Sequence, residues 1–190
     1  PAPFWANLYL YWYECKYISH LITTDKVQAL KYHGCSRFID DMCCINDGGD
    51  FGKCFSAIYP PSMQLKLEHQ GIHATFLDLD ISIKDGQFIY KLFDKRDDFP
   101  FFIVRMPDKR GNIPSFVFYG SVLSEFLRVA RTTLTLTDYR SRAHTLFVRM
   151  CNQGGTKDEL AKQLRKAYLK HPSIFSKYRI PPEQPVEQIC

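Results

Sequence analysis

Asp40 and Asp41 stand side by side within GCSRFIDDMCCIND, residues 34 to 47, flanked by Phe38, Ile39, Met42, Cys43, Cys44 and Ile45. Two carboxylates a few ångströms apart repel each other. They stay ionised together at neutral pH only where a cation neutralises them or water reaches them freely. A hairpin tip on an apolar ribbon allows both. Hard divalent cations such as Mg²⁺ or Mn²⁺ take few protein ligands and keep positions open for water and phosphate oxygens. A pair of such ions can activate an attacking hydroxyl and steady a leaving pyrophosphate. The chemistry this suggests is nucleotidyl transfer. By itself an Asp-Asp dipeptide is an ordinary surface turn, and only the apolar residues on both sides together with the order of the elements downstream set it apart.

The elements that would position this tip follow from periodicity. Residues 6 to 22 carry Leu8, Tyr9, Trp12, Tyr13 and Tyr17 at near-helical spacing, which predicts a helix buried over much of its circumference. A short helix from 25 to 32 follows, with Thr24 as N-cap and Gly34 as its stop. After the hairpin, NDGGD is a turn, residues 51 to 58 form a short helix ended by Pro60 and Pro61, and MQLKLEH alternates like a strand. A second hairpin turns at Asp85-Gly86. Beyond MPDKRGNIP the pattern changes to three amphipathic helices: 114 to 131, 138 to 153 with Thr137 as N-cap, and a third opened by the capping box Thr156-Lys157-Asp158-Glu159. The fold class expected is α+β: antiparallel hairpins with packing helices over 1–110, a three-helix bundle over 111–178, and a Pro-rich tail, extended or disordered, over 179–190.

Charge is divided unevenly. Residues 1 to 100 hold 10 basic against 13 acidic side chains, whereas residues 101 to 190 hold 15 against 7. The second half therefore suits a polyanion, or has an ordinary solvated surface. Seven cysteines without regular spacing are unlike the even frameworks of secreted domains, so reduced thiols are expected. No apolar run reaches the roughly 20 residues of a bilayer span. A soluble intracellular protein, nuclear or cytoplasmic, without a membrane partner is the expectation. His69 and His73 are four apart, but the local alternation argues against a helix that would present both to a metal. NDGGDFGK lacks the spacing of a phosphate-binding loop.

RFIDDM resembles the aromatic-x-Asp-Asp hairpin of reverse transcriptases. PAPFWANLYL is similar to the Pro and ANLxL helix that precede that hairpin in retroelement enzymes. FGKCFSAIYPPSMQLKLEH resembles the helix, loop and strand after it, and TFLDLDISIKDGQF the primer-grip hairpin. The basic helices fall where the thumb follows the palm. Within the family the wording is nearest to Penelope-like or other non-retroviral elements. The resemblance covers residues 1 to about 175.

The resemblance implies an RNA-directed DNA polymerase that works on an RNA template and DNA primer with deoxynucleoside triphosphates and Mg²⁺ or Mn²⁺. Asp40 and Asp41 would be its catalytic, metal-binding carboxylates. Phe38, where the family commonly has Tyr, would pack near the primer end. Phe76, Leu77, Asp78 and Leu79 would form the primer grip, with Asp78 replacing a frequent Gly. Charge placement adds Arg128, Arg131, Lys162, Arg165 and Lys166 as contacts to the nucleic-acid backbone. Lys66 and His69 are the nearest candidates for protonating pyrophosphate. The family needs a further Asp on an earlier strand, which this chain does not supply, so the chain alone is expected to be an inactive palm-and-thumb portion. Two other readings stay open: a non-catalytic nucleic-acid-binding module and a metal-dependent nuclease.

Overall fold

The structure is a computed structural model that describes residues 2–101, 103 and 106–179, and the chain divides into two units, Pro1–Leu77 and Asp78–Cys190. The architecture is α+β, as the periodicities predict. The proposed tail lies outside the described residues except for Arg179. The division at 77/78 differs from the expected boundary near 110. The second hairpin belongs with the helices, because Leu92 enters their core and the Leu134 amide donates to the Tyr90 carbonyl at 3.1 Å.

In the first unit α1 (Ala2–Thr24) leads into α2 (Lys26–Lys31). Strands β1 (Cys35–Phe38) and β2 (Asp41–Cys44) follow as an antiparallel ribbon, then α3 (Asp50–Ile58) and β3 (His73–Phe76). Tyr32, Phe51, Ile58 and Tyr59 form the core with Leu10 and Leu21 from α1. Three expectations are corrected here. The first helix is not buried around its circumference: Leu10 and Leu21 are its buried positions, whereas Leu8, Tyr9 and Trp12 are about half exposed. Its neighbours in this unit cover one side of it, and apolar periodicity reports what a face can bury rather than what covers it. Second, Asp25 caps α2 in place of Thr24, its side chain accepting from the Gln28 amide at 3.0 Å. Third, MQLKLEH is not a strand. Residues 63 to 70 run irregularly, with Leu65 and Leu67 exposed, because an alternating run becomes a strand only when another strand takes up its hydrogen bonds.

The second unit opens on the hairpin β4 (Leu79–Lys84) and β5 (Gln87–Leu92), paired from Leu79↔Leu92 to Lys84↔Gln87. Asp85 and Gly86 both take positive φ, 51° and 73°, the turn that matches the twist of a two-residue hairpin. Helices α4 (Ser115–Thr132), α5 (Leu136–Asn152) and α6 (Lys157–Lys170) pack around Phe118, Val122, Phe126, Met150, Leu160 and Leu164. A short α7 (Pro172–Phe175), not foreseen from the periodicity, adds Phe175 to that core, and Tyr178 follows it there.

Two cap assignments change. Thr135 caps α5 instead of Thr137, accepting from the Asp138 amide at 3.1 Å and donating to its carboxylate at 2.6 Å. The capping box of α6 is not closed. Thr156 donates to the Glu159 carboxylate at 2.7 Å, but that carboxylate is also drawn to Lys109 at 2.8 Å and to the Tyr119 hydroxyl. These partners, Lys109 first, hold Glu159 down at about 2.

Candidate functional site

The hairpin tip forms where the twin acids predict it. Phe38 pairs with Asp41, and the chain reverses at Ile39 and Asp40. Asp40 therefore occupies the turn and Asp41 opens β2, both exposed to solvent. Phe38 is 55% exposed and, as the partner of Asp41, lies on the same face of the ribbon. Ile39 holds φ at 56°, a left-handed conformation unfavourable for a β-branched residue. Something must hold it there.

Arg37 does so. On the inward face of β1 its guanidinium donates to both oxygens of Glu14, at 2.6 and 3.2 Å, and to the Asn7 side chain at 2.7 Å. Nη1 also donates to the Ile39 carbonyl at 2.9 Å. Glu14 accepts in addition from the Tyr59 hydroxyl at 2.5 Å. Burial, and then this bond to Glu14, push the Tyr59 hydroxyl upward so that it stays a donor. The turn is thus fastened to α1 through a planar fork with few soft torsions. Sequence reasoning missed Asn7, Glu14, Arg37 and Tyr59. The one available signal was an arginine two residues from the turn at an inward strand position, which needs a counterion from another element.

The carboxylates of Asp40 and Asp41 make no hydrogen bond or ion pair with any described residue, and among the described residues no three His, Cys, Asp or Glu side chains converge on one point. The donor set therefore fits a hard divalent ion in kind, as two free carboxylates, and leaves most of its coordination to water or to oxygens from a bound partner.

The other predicted residues divide between the units. Phe76 ends β3, half-buried, and Leu77 follows at φ 55°, 45% exposed. In the second unit Leu79 opens β4, while Asp78 accepts from Arg128 at 2.9 Å. Arg128 also pairs with Glu125 at 3.0 Å, and its own side chain is only 19% exposed. Its guanidinium therefore ties α4 to the start of the second hairpin. Lys162, Arg165 and Lys166 lie exposed along one face of α6 and Arg131 is exposed on α4; no described acid pairs with them. Lys66 and Glu68 meet at 3.4 Å on the surface, and the His69 ring lies 3.1 Å from the Thr75 hydroxyl.

A further ionic cluster was not anticipated. Asp94, 9% exposed, accepts from Arg96 at 2.6 Å and from Arg149 at 3.1 Å. Asp97 pairs with Arg149 at 3.0 Å and with Arg142. Burial alone would raise the Asp94 carboxyl, yet Arg96 and Arg149 hold it well below the usual carboxylate range. Two of the basic side chains of α5 are thereby taken up internally.

The chain matches no family model, no curated protein and no solved structure. No helix of the described residues is long and apolar enough to cross a membrane.

Proposed function

We propose that this chain is the palm and thumb portion of a retroelement RNA-directed DNA polymerase. The observation that carries the reading is the two-stranded ribbon with Asp40 in its turn and Asp41 beside it, their carboxylates exposed and without a partner among the described residues. Asp40 and Asp41 would hold Mg²⁺ or Mn²⁺, which when bound supplies charge neutralisation for phosphoryl oxygens. The chain's own contribution is positional. Arg37 holds the Ile39 carbonyl and hence the turn, and the exposed Phe38 offers an aromatic surface next to Asp41 for a primer terminus. The second unit supplies a positive surface through Arg131, Lys162, Arg165 and Lys166. Lys162 and Lys166 are one helical turn apart, a like-charge spacing that costs helix stability and that a phosphate backbone would relieve. The partners are a template-primer duplex of RNA and DNA and, for catalysis, deoxynucleoside triphosphates.

With two carboxylates in place of a complete set, the chain by itself is expected not to extend a primer. One experiment tests the reading: titration with Mn²⁺, followed by electron paramagnetic resonance. Saturable binding that disappears in Asp40→Ala supports it, and binding indifferent to Asp40 and Asp41 removes it. The exposed basic face of α6, with Lys162, Arg165 and Lys166, supports a second reading equally well, a nucleic-acid-binding module without catalysis. That module would keep duplex affinity in Asp40→Ala and show no specific Mn²⁺ site.

A further inference from the structure

Gly34 and Ile45 are joined by a hydrogen bond from the Ile45 amide to the Gly34 carbonyl at 3.1 Å. A Cβ on Gly34 would stand 2.5 Å from the Ile45 carbonyl oxygen, so the two strands approach closely at this end. Antiparallel pairs alternate between hydrogen-bonded and non-hydrogen-bonded types. The next pair along the ribbon, Cys35↔Cys44, is therefore non-hydrogen-bonded. In such pairs the Cα atoms lie about 4.5 Å apart with side chains directed to the same face. That separation falls within the range of about 4.4 to 6.8 Å that a disulfide requires. Both thiols are free and half-buried.

We infer that Cys35 and Cys44 form a reversible thiol–disulfide site, a cross-strand bond at the root of the Asp40–Asp41 hairpin made by exchange with a small disulfide such as oxidised glutathione. The site does not depend on the polymerase reading. Cys35 lines a cavity of about 580 Å³ in the first unit, together with Tyr17, Tyr32 and Met42, by which a small oxidant can approach this end of the ribbon. The proximity of the two thiols lowers the pKa of the Cys35 thiol and raises that of Cys44. Cys35 is thus the attacking group. Its thiolate attacks one sulfur of glutathione disulfide and expels one glutathione thiolate, leaving a mixed disulfide. Cys44 gives up its proton and attacks the Cys35 sulfur of that mixed disulfide, expelling the second glutathione. Two protein thiols are oxidised by two electrons, one glutathione disulfide is reduced to two glutathione thiols, and these take up the two protons. The product closes a ten-residue ring from Cys35 to Cys44 and fixes the register on which the placement of Asp40 and Asp41 depends.

The test uses the whole chain treated with oxidised glutathione. Trypsin cleavage after Lys31, Arg37 and Lys53 puts Cys35 on the peptide 32–37 and Cys44 on the peptide 38–53. The expected result is a covalent pair of these peptides that dithiothreitol separates, retained in Cys43→Ala and lost in Cys44→Ala. In the unsubstituted protein, amide exchange across the ribbon should also slow by about tenfold or more on oxidation. A linkage through Cys43 or Cys54, or glutathione left as a stable mixed disulfide on Cys35, overturns the inference. Because Cys43→Ala and the unsubstituted protein carry the outcome, misfolding of Cys44→Ala does not affect it.

Discussion

At the scale of single residues, the geometry of the hairpin tip depends on Arg37 as much as on the aspartates it carries. A flexible ammonium cannot reproduce a fork that satisfies Glu14, Asn7 and the Ile39 carbonyl together. Arg37→Lys is therefore expected to destabilise the first unit by about 2 kcal/mol, the range for lost hydrogen bonds to charged groups, as measured by urea denaturation. A cost near zero would mean that the network does not hold the turn. Arg128 teaches the complementary lesson. Its sequence position on a basic helix suits a phosphate contact, yet Glu125 and Asp78 already occupy its donors. What an arginine can reach in a partner is decided by what it has already reached within its own fold.

At the scale of elements, helix ends show where local rules work and where they are ambiguous. Thr135 and Thr137 are both plausible caps in the run RTTLTLTDYR, and the structure selects Thr135 through the Asp138 amide. Thr135→Ala should cost about 1 kcal/mol, whereas Thr137→Ala should change stability by less than about 0.5 kcal/mol. Chemical denaturation of the two variants side by side distinguishes them, and equal effects would place the cap elsewhere. Exposed charge on α6 belongs to the same scale. Replacing Lys162, Arg165 and Lys166 together by Ala should weaken binding to an RNA–DNA duplex and lower the slope of log K against log salt concentration by about 2 to 3. An unchanged slope would show that this face of α6 does not meet phosphate.

For the molecule as a whole, the charge asymmetry of the sequence becomes a difference between units: Pro1–Leu77 holds 6 basic and 7 acidic residues, Asp78–Cys190 holds 19 and 13. Part of the second unit's positive charge is spent internally on Asp94 and Asp97. Both carboxyls are held below their ordinary value against the opposing effect of burial, Asp94 by Arg96 and Arg149, Asp97 by Arg142 and Arg149. A group depressed in the folded state contributes stability that is fully present above its unfolded value and lost as pH falls through the folded one. The second unit should therefore hold constant stability from pH 7 to about 5 and lose it progressively below about 4. Helicity followed by circular dichroism against pH checks this. In Asp94→Asn the acid loss should be shallower and the stability at pH 7 lower by about 2 kcal/mol, whereas an unchanged acid profile would remove Asp94 from the account.

The sequence alone determined the elements whose signals are local: the ribbon around Asp40 and Asp41, the Asp85-Gly86 hairpin and the three amphipathic helices. In each, the turn residues or the apolar spacing required no distant partner to be recognised. It also supplied the candidate acids, because adjacent carboxylates between apolar flanks are visible in one dimension. Only the tertiary structure decided that Glu14 meets both Arg37 and Tyr59, that Arg128 is engaged by Asp78, that MQLKLEH pairs with no strand among the described residues, and that Leu8, Tyr9 and Trp12 of the first helix stay half exposed. Those outcomes depend on which surfaces meet across distances of tens of residues, and the energy of a contact between two groups is not written in the spacing of either.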